Sequence, residues 1–230
     1  MFNIFKNKDE DNLRLAAELL DYFSLTTEQF SDESIKIIKQ AKNKDDILDK
    51  VIELCINIKK SAAYLNIATA YKLKGIKYRT EVIKYYNKFL ENPVFLKTNK
   101  KYGIQLYQDI MVEDIELSNI YMSLGNAYEG KYDFENALNS YKKSCKIDPS
   151  NQGIYCCIAR IYSKMNKLDE SINILKEAKN SKYYKINTTK ILDKVYTDDT
   201  FIKVIDDYLN DYENKKKRGY IYRPRKKKIN

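Results

Sequence analysis

Apolar residues recur along this chain at steps of three and four, the spacing that puts side chains on one face of a helix. Residues 9–23 carry Leu13, Leu15, Ala16, Leu19, Leu20 and Phe23 and predict an amphipathic helix. Ser31 precedes Asp32-Glu33-Ser34 as a natural N-cap for another. From Lys44 to Lys74 there is no Gly or Pro, and Ile47, Leu48, Val51, Ile52, Leu54 and Cys55 form a stripe that leads toward Tyr64. That stretch is compatible with one long helix or two. Tyr102, Ile104, Leu106, Tyr107, Ile110 and Met111 predict a further helix. Ile191, Leu192 and Val195 form a short apolar group, and Thr200 is a candidate cap for a helix carrying Phe201, Ile202, Val204, Ile205 and Leu209 through Tyr212. With only 6 Gly and 3 Pro, the chain has too few turn signals for a many-stranded β fold.

One segment repeats. Residues 118–151 contain Tyr121-x-x-Leu124-Gly125-x-x-Tyr128, then Ala137-x-x-x-Tyr141, then Pro149. Tyr121, Leu124 and Tyr128 build a helical stripe. Gly125 and Ala137 are small enough for a neighbouring helix to approach, Tyr141 fills the gap between helices, and Asp148-Pro149 stops the second helix. A shift of about 34 residues lands on Tyr155, Ile158, Ala159 and Tyr162, then Ser171, Leu175 and Ala178. An upstream copy has Tyr64, Ile67, Ala68 and Tyr71, with Gly75 closing the first helix and Asn92-Pro93 ending a second over residues 79–91. This order of aromatic, Leu-Gly, Tyr, Ala, aromatic and Pro resembles the tetratricopeptide-repeat family.

The resemblance implies an all-α superhelix, a solenoid of antiparallel helix pairs. Its expected organisation is N-terminal helices over 1–60, acting as a degenerate repeat or cap. Repeats follow over 61–185, namely 61–94, 118–151 and 152–185, with an insertion at 95–117. Capping helices occupy 186–214 and a basic, disordered tail 215–230. Members of the family bind a partner peptide or helix in a groove lined by the first helix of each repeat. The positions this implies are Asn66, Thr69 and Lys72 in the first copy, Asn119, Met122, Asn126 and Glu129 in the second, and Cys156, Arg160, Ser163 and Lys164 in the third. The amide of Asn126 has both donor and acceptor for a peptide backbone. Arg160 and Lys164, one turn apart, suit a carboxylate. Members that grip a terminal carboxylate use a basic clamp. Here Leu65 and Met122 stand where that clamp has Lys, so that ligand is not implied.

Charge changes the picture only at one end. Net charge is +10, but residues 215–230 hold nine basic residues (Lys215, Lys216, Lys217, Arg218, Arg223, Arg225, Lys226, Lys227 and Lys228) and no acid. The rest carries 33 basic and 32 acidic residues, so a whole-domain nucleic-acid footprint is not indicated. The tail itself suits nucleic acid or an anionic membrane, with Tyr220 and Tyr222 able to stack on bases or sit among headgroups.

The chain has no His, so no imidazole base, triad or His-bound metal is expected. No phosphate-cradling Gly-rich loop is present. Cys55, Cys145, Cys156 and Cys157 lack the spacing of a zinc site and read as reduced, buried thiols. The expectation is a cytoplasmic, non-catalytic scaffold without cofactor or metal, since the N-terminus lacks a signal peptide's apolar core. A tail-directed nucleic-acid or membrane factor stands second. A peptide-sensing regulator stands third, because no helix-turn-helix signature precedes the repeats.

Overall fold

A computed structural model describes residues 7–24, 30–93, 112–181 and 198–223, and the regular elements among them are all helical. The helix expected over 102–111, the apolar group at 191–195 and the basic residues at 225–228 lie outside the described residues. The chain divides into two compact units, Met1–Tyr102 and Gly103–Asn230.

The first unit contains α1 (Lys8–Ser24), α2 (Asp32–Gln40), α3 (Lys44–Cys55), α4 (Ser61–Lys74) and α5 (Arg79–Leu90). The apolar stripe of α1 is buried at Leu13, Leu15, Ala16 and Leu19, where the helix packs on α3 and α4. Ser31 caps α2, its hydroxyl accepting from the Ser34 amide at 3.3 Å. Glu18 of α1 ties that end down by accepting from the hydroxyls of Ser31 and Ser34, each at 2.6 Å. Asn43 caps α3 by accepting from the Asp46 amide.

Residues 44–74 form two helices. After α3 the Ile58 amide donates to the Cys55 carbonyl, and the turn carries the Ile58 side chain into the core. Burial of that side chain, not a Gly or Pro, marks the break. Gly75, at φ +107°, ends α4 in backbone geometry that only glycine adopts freely. The α4–α5 pair then closes over Val82, Tyr85, Tyr86 and Phe89.

The second unit contains α6 (Val112–Gly130), α7 (Phe134–Ile147), α8 (Gln152–Lys164), α9 (Leu168–Asn180) and α10 (Asp198–Lys217). α6 pairs with α7 and α8 with α9. α7 packs on α8, and α10 packs on α9 and α8. This is the repeat architecture that the spacing predicted. At Gly125 the helices approach closely, since a Cβ there would lie 2.5 Å from Cε1 of the fully buried Tyr141 ring. Ala137 and Tyr141 sit in one core with Ile154, Ile158 and Ile161. Ser118 and Ser144 join α6 to α7, the Ser144 hydroxyl donating to the Ser118 carbonyl at 2.7 Å. In the next helix pair the Ser171 hydroxyl donates to the Ala159 carbonyl at 2.6 Å, so these buried hydroxyls are satisfied where the helices touch. α10 begins at Asp198, so Thr200 lies inside the helix instead of capping it.

The expectation of a disordered tail from residue 215 is corrected by the structure. Lys215, Lys216 and Lys217 belong to α10, and the chain is described as far as Arg223. Acidic neighbours supply the reason. Lys215 pairs with Asp211 at 2.6 Å, and Lys216 pairs with Asp169 of α9.

Replacing Gly125 with Ala should destabilise the protein. Overpacking against Tyr141 costs about 1–3 kcal/mol, and improved helix propensity returns at most about 1 kcal/mol. Urea unfolding of Gly125→Ala should show a lower midpoint with an unchanged slope.

Candidate functional site

The first helices of the two repeats in the second unit, α6 and α8, meet across a polar cluster built on Tyr141 of α7. The Tyr141 ring is held against Gly125, which fixes where its hydroxyl emerges. That hydroxyl lies 2.6 Å from Asn126 Oδ1 and 2.9 Å from Glu129 Oε2, so one proton is shared between two acceptors. The Glu129 carboxylate then reaches α8. Arg160 donates from Nε to Oε1 and from Nη2 to Oε2, both at 2.8 Å, which is the bidentate fork geometry. Lys164 Nζ donates to Oε1 at 2.6 Å. Arg160 Nη2 also lies 3.5 Å from the Cys157 thiol. One carboxylate between two cations leaves the cluster with a net charge of +1.

Burial by itself would raise the Glu129 pKa, but the hydrogen bonds from Arg160, Lys164 and Tyr141 outweigh it and hold the carboxyl at about 2. Bonding to Glu129 raises the Arg160 pKa in turn. Tyr141 is pushed up by burial and by the Glu129 charge, so it stays protonated and donates. Burial pushes the thiols of Cys55 and Cys156 up to about 11 and raises those of Cys145 and Cys157, which keeps all four protonated and unreactive near neutral pH.

The predicted groove positions divide. Asn119 and Asn126 of α6 are exposed, and Met122 is half-buried against the core. Glu129, Arg160 and Lys164 come together, with one another as partners. Thr69 is half-buried and Lys72 exposed on α4, in the first unit.

Three positions expected to face the groove are corrected. Asn66 is buried because α1 packs on α4, and its amide donates to the Leu13 carbonyl at 3.3 Å. Cys156 is buried among Ile205 and Tyr212 of α10. Ser163, two turns along the same side of α8, is buried as well. The open stripe of α8 is rotated toward Cys157, a half-buried residue absent from the predicted set. Its spacing of three to Arg160 and seven to Lys164 is the signal that points to it.

Among the described residues no group of His, Cys, Asp or Glu is placed to hold a metal, and no helix is long and apolar enough to cross a membrane.

Comparison with known proteins agrees with this architecture. Residues 125–166 match a TPR repeat family model and residues 153–182 match a tetratricopeptide repeat model, both within the second unit. Residues 125–182 of this chain therefore carry tetratricopeptide repeats. No curated protein matches it. Solved structures to which this chain shows similarity include MamA, at 14% identity over 92% of this chain and 94% of that one, with a TM-score of 0.47. YrrB, described as a TPR protein with an unusual peptide-binding site, is 13% identical over 91% and 97%, with a TM-score of 0.45. A thermophilic TPR protein of Thermus thermophilus is 13% identical over 88% and 99%, with a TM-score of 0.41.

The low pKa of Glu129 carries a pH dependence with a definite sign. A folded-state pKa near 2, against an ordinary value of 4.5, contributes stability that is present above pH 4.5 and lost as pH falls toward 2. The shift corresponds to about 3 kcal/mol at neutral pH. Glu129→Gln should be less stable than the parent chain at pH 7 in denaturant titrations. The gap between the two should close as the pH drops from 5 to 2.

Proposed function

We propose that this chain is a non-catalytic scaffold that takes a partner's peptide or helix on the α6–α8 face of its second unit. The repeat fold serves protein interaction in general, and the finer reading rests on one observation. The first helices of two consecutive repeats present Asn119 and Asn126 on α6 and Arg160 and Lys164 on α8, and Asn126, Arg160 and Lys164 are already engaged by Tyr141 or Glu129. Preorganised polar groups lose little conformational entropy on binding. The exposed amides of Asn119 and Asn126 offer both a donor and an acceptor to a partner backbone. The net positive charge of the Glu129 cluster favours a partner with acidic residues near that end of the face.

The test is affinity capture with the full chain as bait, comparing the parent with Asn119→Arg/Asn126→Arg and identifying what is retained by mass spectrometry. The expected result is loss of the specifically retained partner by about tenfold or more, with little change in unfolding midpoint. Retention of the same partner at the same level would remove the α6–α8 face from the reading.

A further inference from the structure

The segment after α10 turns back onto its own unit. Gly219, at φ +61°, donates its amide to the Lys216 carbonyl, and the Tyr220 amide donates to the Lys215 carbonyl at 3.0 Å. This paired closure is the Schellman cap, and it reverses the chain direction. Tyr220 and Ile221 are exposed. Tyr222 is half-buried, and its backbone is held at both ends by one side chain. The Tyr222 amide donates to Asn166 Oδ1 at 2.5 Å, and Asn166 Nδ2 lies 3.4 Å from the Tyr222 carbonyl.

Asn166 is free to do this because the α8–α9 turn closes without its side chain. Its backbone is left-handed at φ +62°, its amide donates to the Ser163 carbonyl, and the Lys167 amide returns to the Tyr162 carbonyl at 2.8 Å. Asn tolerates that conformation better than most residues. The turn one repeat earlier has the same shape, with Tyr132 at φ +64°. Beside it stands Phe134, which meets the Tyr222 ring edge-on at 6.1 Å. Lys164 Nζ, the ligand of Glu129, lies 5.8 Å from the centre of the same Phe134 ring. The docked tail and the α6–α8 face therefore share one side chain.

We propose that the edge formed by Phe134 and Asn166 is a docking site for an extended segment bearing an aromatic residue, and that residues 220–223 of this chain fill it in cis. The recognition chemistry is a side-chain amide that reads one residue's backbone donor and acceptor, with an aromatic edge beside it for that residue's ring. Such a small contact is weak between separate molecules. The segment starts directly after α10, so its effective concentration is of millimolar order and the site stays filled. This proposal is independent of the reading of the α6–α8 face.

Amide hydrogen exchange of the full chain tests it. The Tyr222 amide should exchange about tenfold or more slowly than in a free peptide of residues 218–224. Asn166→Gly keeps the left-handed turn while deleting the amide, and it should restore the peptide rate without lowering the unfolding midpoint. In the same series, a labelled 218–224 peptide should bind a chain truncated after Gly219, whose site is vacated. It should bind neither the parent nor the truncated chain carrying Asn166→Gly. A Tyr222 amide exchanging at the free-peptide rate in the parent would overturn the proposal, as would protection that survives Asn166→Gly. Equal peptide binding by all three chains would also overturn it.

Discussion

The packing of the Tyr141 ring onto Gly125 is the constraint on which the second unit depends. A contact that admits no Cβ holds α6 and α7 close together. The ring cannot then be shifted without moving a helix. Its hydroxyl is consequently delivered to one place, between Asn126 and Glu129. Close packing in the core therefore sets the geometry of a polar cluster nearer the surface. The cluster also carries that order across to α8 through Arg160 and Lys164. A helix pair that buries its apolar face only against neighbours gains a second, electrostatic tie to the next pair.

That tie has two consequences. The cations of α8 are engaged by a carboxylate of the same chain, so they are not waiting for a ligand's carboxylate. They are held in place, in an ordered polar cluster with a small positive excess. Burial of Glu129 costs stability, and three donors more than offset that cost. The same Lys164 lies against the Phe134 ring that meets Tyr222, so order in the cluster extends to the edge where the tail is docked.

Much of this was legible in the sequence. Gly125, Ala137 and Tyr141 stand at fixed offsets because each solves a steric problem that recurs in every repeat, and the structure places them at the helix contact. What the repeat pattern does not carry is anything that depends on a helix outside it. Asn66 and Cys156 sit at groove register, yet α1 and α10 cover them. The pattern gave the side of the helix on which Glu129, Arg160 and Lys164 lie. It did not give the distance between neighbouring helices, which makes them partners. The break after Cys55 has no Gly or Pro and depends on burial of Ile58, a tertiary event. The basic run read as a tail because like charges dominate its composition. Its first lysines are offset by Asp211 and Asp169, and the second of these is 47 residues away in sequence.

The bridge between α6 and α8 is tested most directly by a double-mutant cycle on Glu129→Gln and Arg160→Gln, measured by reversible denaturant unfolding at pH 7 and low salt. A partly buried bidentate pair predicts a coupling energy of about 1–3 kcal/mol, with the double variant less destabilised than the two single changes added together. Additivity of the two changes to within about 0.3 kcal/mol would contradict the account, because residues that do not touch show no such coupling.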